Sequence, residues 1–363
     1  MTKKEFGRFI AFILVVCVVL YVMCDLFEQE NTSNIDRRFA TYRNLNENTV
    51  DAVWIGTSGV DRYWIPPKAY EEHGFTLYPL ASDGMPAWLY IDMIKEAYAY
   101  QNPQLIIVDI RPFGQSDAYS ETADVRVRRI LDAMDPLSVN RLNTAFTAMR
   151  VIHEHYEGKR FDLSYLLSYI RYHSMWQNED YYISIHRGSK EHNYLGFYMQ
   201  SSKSLQATEL DKVITDPNHY EELDALAIAS FYDLLDYSRA NNIELLFVDT
   251  PQYRGTTEMS RTNSFLKLLD EEGLNYISFN ETDADGNFIH APSLDPKTDF
   301  YNDGHTNYYG AEKFTEAFSA YLMEHYDLPD HREDAAVQED WDGVYDRIKE
   351  KIATWENEEI TEE

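Results

Sequence analysis

The sequence predicts an α/β domain built on a parallel sheet with helices on both faces. Three observations predict it. Short, near-continuous apolar runs at 49–55, 105–110 and 243–250 have the length and character of strands covered on both sides. Apolar residues at helical spacing lie between them, as at Leu89, Met93, Ile94 and Ala97. Each run stops at a turn or breaker: Gly56-Thr57-Ser58, Arg111-Pro112 and Pro251. Strands alternating with helices in this way give a parallel sheet, whose ligands bind beyond the carboxyl ends of the strands.

The bounds agree with such a domain. The chain has 363 residues, 44% hydrophobic and 26% charged, which is a globular mixture rather than a disordered one. Its net charge of −30 argues against nucleic acid as a partner, because phosphate binding needs clustered Lys and Arg. Cys17 and Cys24 are the only cysteines, both in the first apolar run, so the body has neither a disulfide framework nor a thiolate metal site. No cofactor or metal is expected.

At the start, Lys3, Lys4 and Arg8 form a basic end over 1–8, followed by an uncharged run at 9–24. As a helix that run is about 24 Å long, and Lys4 and Arg8 can snorkel to complete a membrane span. The basic residues place that end in the cytoplasm and the body outside. The reading is an uncleaved signal-anchor in the cell membrane. A cleaved signal peptide is the rival, but bulky residues at Tyr21-Val22-Met23 offer no small-x-small cleavage site. Residues 25–48 read as a polar stalk.

The body, 49–325, opens with the strand ending at Gly56-Thr57-Ser58. A second strand is expected at 75–80, before Ala81-Ser82-Asp83-Gly84, and a helix from Pro86 to 100. After the third strand the rhythm breaks. Residues 113–219 form an insertion with helices expected at 125–134, 138–156 and 163–176, then an irregular stretch rich in Tyr, His and Ser. The rhythm resumes with a helix at 220–240, a strand at 243–250, a helix at 260–272 and a strand at 275–279. A polar loop, Tyr301-Asn302-Asp303-Gly304-His305-Thr306, then leads into a last helix marked by Phe314, Phe318, Tyr321 and Leu322. The tail, 326–363, carries 14 acids and 4 bases, yet Trp341, Val344, Ile348, Ile352 and Trp355 recur at helical spacing. That stripe either packs on the body or docks a membrane-embedded partner.

The chemistry lies at the two ends of the body. A serine hydroxyl becomes a nucleophile when a base takes its proton and a third group orients the base. Ser58 follows a strand in a turn with Gly56 and Gly59 around it. Asp303 and His305 lie 247 residues downstream of it, in a loop before the last helix. In this triad Ser58 attacks, His305 is the base and Asp303 orients it. The amides of Ser58 and Gly84 are the candidate donors to a tetrahedral oxyanion. Arg111, just past the third strand, either serves the same site as an oxyanion or substrate-binding donor or forms a structural salt bridge.

Ser58 after the first strand, Gly84 after the second, and Asp303 and His305 before the last helix resemble the SGNH/GDSL hydrolase superfamily. The resemblance covers about 49–112 and 220–325. It implies a flavodoxin-like three-layer sandwich, a Ser58 acyl-enzyme and an oxyanion glycine at 84. Two departures stand out. Thr57 occupies the place of the family's usual Asp, and Asp109-Ile110-Arg111-Pro112 stands where a Gly-x-Asn-Asp block supplies an Asn donor. The Asp-x-His spacing, the Asn-Tyr-Tyr-Gly-Ala run and the N-terminal anchor are similar to surface members that modify exported polysaccharides, such as alginate O-acetyltransferases and the D-alanyl-teichoic-acid transfer protein. That implies a cell-surface glycan substrate and a membrane-bound O-acyltransferase partner. An esterase uses the same residues with water as acceptor. An inactive binding or assembly protein that kept the fold is the alternative.

Other residues carry less. His153 and His155 sit at i, i+2 on a helix and do not share a face, so they do not make a metal pair. His186 and His192 read as exposed loop residues. Aromatics around 176–198 either stack on sugar rings or pack at a half-buried surface.

Overall fold

The computed structural model describes residues 1–26, 34–115, 120–156, 162–172, 194–200, 218–252, 254–283, 285, 287–295, 297–302 and 304–362. In chain order the body runs α1 (Lys3–Leu26), α2 (Asn34–Asn44), β1 (Ala52–Gly56), α3 (Ser58–Asp61), α4 (Pro66–His73), β2 (Leu77–Ala81), α5 (Tyr90–Tyr100) and β3 (Leu105–Asp109). It continues with α6 (Arg111–Gly114), α7 (Ser120–Ala133), α8 (Val139–His155), α9 (Ser168–Tyr172), α10 (Ala225–Asn241), β4 (Glu244–Asp249), α11 (Thr256–Glu272) and β5 (Tyr276–Ser278). A small hairpin, β6 (Phe300–Asn302) and β7 (His305–Thr306), precedes α12 (Tyr308–His325), α13 (Ala335–Trp341) and α14 (Val344–Glu362).

The five main strands form one parallel sheet in the order β2-β1-β3-β4-β5, the flavodoxin-like arrangement. Side chains alternate between its faces, as period 2 demands. Val53, Ile55, Ile106, Val108 and Phe247 join the core under α2, α5, α7, α8 and α10. Trp54, Leu105, Ile107, Leu246 and Val248 join the core under α12, through Phe314, Phe318 and Leu322. Trp54 meets Phe318 edge-on, with ring centroids 5.0 Å apart. The expected three-layer α/β class is the observed one. Its strand order reverses between β1 and β3, so the crevice beyond their carboxyl ends is where a ligand site belongs.

α1 is the one helix among the described residues long and apolar enough to cross a membrane; its span Lys3–Met23 is not buried against the rest of the chain. The stalk needs correction. Residues 34–44 are not a solvated linker but α2, packed on the sheet with Ile35, Phe39 and Tyr42 buried. Their 3–4 spacing makes an apolar face that the intervening charges concealed. The buried Arg38 of α2 then reaches the carboxyl edge of the sheet: it hydrogen-bonds the carbonyls of Ala81 and, at 2.9 Å, Gly196, and pairs with Asp61.

The described part of the insertion up to 172 is largely helical. Ser138 caps α8 by accepting the Arg141 N–H at 3.0 Å, and Val127, Ile130, Leu131, Met149 and Ile152 extend the core. Where a helix was expected at 163–176, a 3-10 turn (Leu163–Tyr165) and the short α9 stand; 173–176 lie outside the described residues. In the tail, Val337, Trp341, Val344, Ile348 and Ile352 are buried against the body. The Trp341 and Tyr70 rings lie 5.6 Å apart, and the hydroxyls of Tyr308 and Tyr345 both donate to Glu312 at 2.6 Å. Among the described residues the tail stripe packs on the body, with Trp355 half-buried at its end.

Candidate active site

Gly56 closes β1 at a point where side chains do not fit: a Cβ there would stand 2.2 Å from the Cβ of Asp109 on β3. The close approach lets Asp109 organise the turn that follows. Its Oδ2 accepts the Thr57 N–H at 2.9 Å and the Thr57 hydroxyl at 2.5 Å, and its Oδ1 accepts the Arg111 N–H at 3.0 Å. Thr57 also caps α3, its Oγ1 accepting the Gly59 N–H. A threonine at 57 is thus workable, because its hydroxyl donates to a carboxylate supplied by β3. The turn delivers Ser58 to the first position of α3, largely buried but lining a cavity.

The hairpin β6–β7 comes to the same place from the far end of the body. Thr306 Oγ1 donates to the Arg62 carbonyl at 2.7 Å, and the Tyr63 hydroxyl, which donates to the Pro251 carbonyl, also stands 3.2 Å from the Gly304 carbonyl. These bonds tie the hairpin to α3. His305 Nε2 then lies 2.7 Å from Ser58 Oγ. Sequence reasoning placed these two residues together across 247 positions, and the structure brings them into hydrogen-bond reach.

The other ring nitrogen, Nδ1, lies 2.8 Å from Oδ1 of Asn302. That oxygen also accepts the Gly304 N–H at 2.9 Å. A backbone amide can only donate, so Oδ1 is an acceptor, and Nδ1 must carry the proton that reaches it. Nε2 is then the free base, facing Ser58. The hairpin register explains the choice of partner: Asn302 pairs directly with His305 across the two strands. Asp303, the orienting acid expected from the Asp-x-His spacing, lies outside the described residues. Sequence reasoning passed over Asn302; its signal was the i−3 position relative to His305 across a two-residue turn.

Burial pushes the His305 imidazole down to about 3, with Arg62 and Arg111 pushing the same way and Asp83 opposing. The ring is therefore neutral and able to accept a proton across the ordinary pH range.

Gly84 takes a positive φ of 63°, which favours glycine, in the turn after β2. The Ser82 N–H donates to the Gly56 carbonyl at 3.1 Å, so this turn is fastened to the turn that carries Ser58. Among the described residues neither the Ser58 nor the Gly84 N–H donates a hydrogen bond, as oxyanion donors require. Both residues line one cavity of about 290 Å³, with Thr57, Arg62, Asp83, Arg111, Arg126, Arg129 and His305. Arg111 forms the salt bridge expected as one alternative, its Nε pairing with Glu258 at 3.3 Å, and it also lines the cavity. Arg126 and Arg129 of α7 were not anticipated; the basic cluster at 126–129 in so acidic a chain was the available signal. A smaller recess of about 50 Å³ adjoins at Gly84, walled in part by Pro86, Ala87, Trp88 and Leu226.

His153 and His155 are exposed on α8, and no cluster able to hold a metal ion occurs among the described residues. His186 and His192 lie outside the described residues, as does 176–193 of the aromatic stretch. Within its described end, Leu195 and Phe197 are buried and the Tyr198 ring stacks 4.5 Å from the Arg62 guanidinium.

No family model matches the chain, and no curated protein matches it. Solved structures similar to it include one described as a lipolytic protein of the G-D-S-L family from Desulfitobacterium hafniense. It is 11% identical, with a TM-score of 0.36, covering 76% of this chain and 100% of that one. An acylhydrolase described from Bacteroides fragilis is 8% identical, with a TM-score of 0.34 and coverage of 81% and 96%. An active-site mutant of a family two carbohydrate esterase from Clostridium thermocellum is 8% identical, with a TM-score of 0.33 and coverage of 77% and 65%. At these identities and scores, the fold rests on the strand order of this chain and the site on its own distances.

Proposed function

We propose that this chain is a serine-dependent O-acyltransferase or esterase that acts on cell-surface polysaccharide through an acyl-Ser58 intermediate. The observation that carries the reading is the 2.7 Å contact of Ser58 Oγ with the unprotonated Nε2 of His305. In the first half-reaction Ser58 Oγ bonds to the acyl carbon and its proton passes to Nε2. The bond to the leaving oxygen breaks, and that oxygen takes the proton from Nε2. In the second, a glycan hydroxyl or water gives its proton to Nε2 and attacks the acyl carbon, and Ser58 Oγ recovers the proton on release. The amides of Ser58 and Gly84 hold the oxyanion in both halves. Asn302 orients the imidazole, and Asp303 remains proposed as the carboxylate of the triad.

α1 anchors the enzyme in the cell membrane with its basic end inside and the body outside. A membrane-bound O-acyltransferase is the proposed donor of the acyl group. The short recess beside Gly84 suits a small acyl group such as acetyl.

A fluorophosphonate probe tests the reading. Ser58-dependent labelling, lost in Ser58→Ala and His305→Gln, is expected. Absence of labelling in the folded wild-type protein would leave the alternative, a binding or assembly protein with a vestigial site. Acetate release from an acetylated glycan, with and without an acceptor glycan, then separates transfer from hydrolysis.

A further inference from the structure

We infer that the site takes a glycan bearing an anionic group, a carboxylate or a phosphate, held by Arg126 and Arg129 of the helical insertion together with Arg62. The inference rests on the proposed acyl chemistry at Ser58 and adds to it the class of substrate.

The charge distribution is the first ground. The chain as a whole carries −30, yet the cavity at Ser58 is lined by four arginines and one acid, Asp83. A concave site of the opposite sign to the rest of the surface concentrates ligands of the complementary charge. Arginine is suited to this because its planar fork meets carboxylate or phosphate oxygens in pairs.

The second ground is how the arginines are employed. Arg128, between the two on α7, is structural: it pairs with Asp124 at 2.9 Å and Asp162 at 3.0 Å. Arg126 and Arg129 stand at i, i+3 and so share the face turned to the cavity. The Arg126 guanidinium lies against Gly84, and a Cβ at that glycine would come within 2.6 Å of it. Its Nη1 stands 3.4 Å from the Gly84 carbonyl. Arg129 makes no hydrogen bond or ion pair among the described residues. Arg62 spends one nitrogen on Asp83 at 2.8 Å, while its Nε is buried with no hydrogen-bond partner among the described residues.

The third ground is that this positive charge is felt at the site. Burial works to raise the Asp83 carboxyl, but Arg62, Arg38 and Arg129 outweigh it and hold the group below the usual range. Arg62 and Arg111 likewise oppose protonation of His305. A bound anion offsets that opposition at the moment the imidazole takes the serine proton. The cavity, about 290 Å³, is at the small end for ligand sites and accommodates one substituted sugar at a time.

The test measures how far three unreactive sugars protect Ser58 of the full-length protein from the fluorophosphonate: methyl glucoside, methyl glucuronoside and methyl glucoside 6-phosphate. The expected result is half-protection by one or both anionic sugars at about a tenfold lower concentration than by methyl glucoside, the worth of one hydrogen bond to an ionised group. The gap narrows in 0.5 M salt, narrows in Arg129→Gln and in Arg126→Gln, and survives in Arg129→Lys. Because the gap is a ratio within each protein, a variant with a lower labelling rate still reports it. Which sugar protects better separates carboxylate from phosphate. Equal protection by neutral and anionic sugars, or a gap untouched by both Gln variants, overturns the inference and leaves the acyl-enzyme reading intact. Calorimetry of the same sugars on Ser58→Ala covers the opposite failure. Anion-selective binding there, with no labelling of the wild type, upholds the anion site and removes the acyl chemistry; no selectivity there overturns the inference.

Discussion

Asn302 Oδ1 lies 2.8 Å from His305 Nδ1 and at the same time accepts the Gly304 N–H at 2.9 Å. The imidazole is therefore held in one tautomer by a neutral amide whose own orientation is fixed by the backbone. An amide aligns the ring as a carboxylate does but does not stabilise the imidazolium that forms during attack.

Replacement of Asn302 separates these two roles. Asn302→Ala frees the ring and is expected to lower the rate of Ser58 acylation by about 10–100-fold, in keeping with the loss of a group that only orients the base. Asn302→Asp keeps the alignment, adds a charge and raises the pKa of His305, visible as an acid limb moved upward in the pH–rate profile. Acylation by Asn302→Ala at the wild-type rate, with a large loss in Asp303→Asn, would transfer the orienting role to Asp303.

The buried His305 predicts an unusual pH response. In an unfolded chain it titrates near 6.5, roughly the ordinary value, and in the fold near 3. Between those values the unfolded chain binds the extra proton, so stability falls as pH drops from about 6.5 toward 3 and bears no such penalty above 6.5. The labelling rate should accordingly show no acid limb at 6.5. The urea midpoint of the wild type should drop further than that of His305→Gln between pH 7 and 4.5. A limb at 6.5 would mean that the ring is open to solvent.

Arg38 links α2 to the turns around Ser58, and its guanidinium and the Asp61 carboxylate are both buried. Arg38→Met leaves Asp61 without its main partner and is expected to destabilise the fold by about 3–5 kcal/mol, the range for breaking a buried pair from one side. Urea unfolding measures this. Adding Asp61→Asn should restore part of the loss. A cost under about 1 kcal/mol for Arg38→Met, the range of exposed pairs, would show that the pair is dispensable.

The tail is part of the body. Trp341 is fully buried beside Tyr70, and Trp341→Ala should cost about 3–5 kcal/mol, as for other large-to-small changes in a core. A truncation after residue 325 should behave likewise in thermal unfolding. Unchanged unfolding of both variants would return the tail to the status of an independent appendage.

The sequence by itself determined the sheet, because a doubly covered strand must be apolar along its whole length and the runs at β1, β3 and β4 are local patterns. It also paired Ser58 with His305 from their places after a first strand and before a last helix, and the two stand 2.7 Å apart. Tertiary structure decided what those patterns meet. Whether 34–44 is a stalk or a helix depends on whether a surface is there to bury Ile35, Phe39 and Tyr42, and the core provides one. The arginines of α7 face Ser58 only because the insertion folds back over the sheet edge. Asn302 as a partner of His305 was the least legible feature. The hairpin register sets residues 302 and 305 opposite each other, and that register brings the Asn302 side chain to the imidazole.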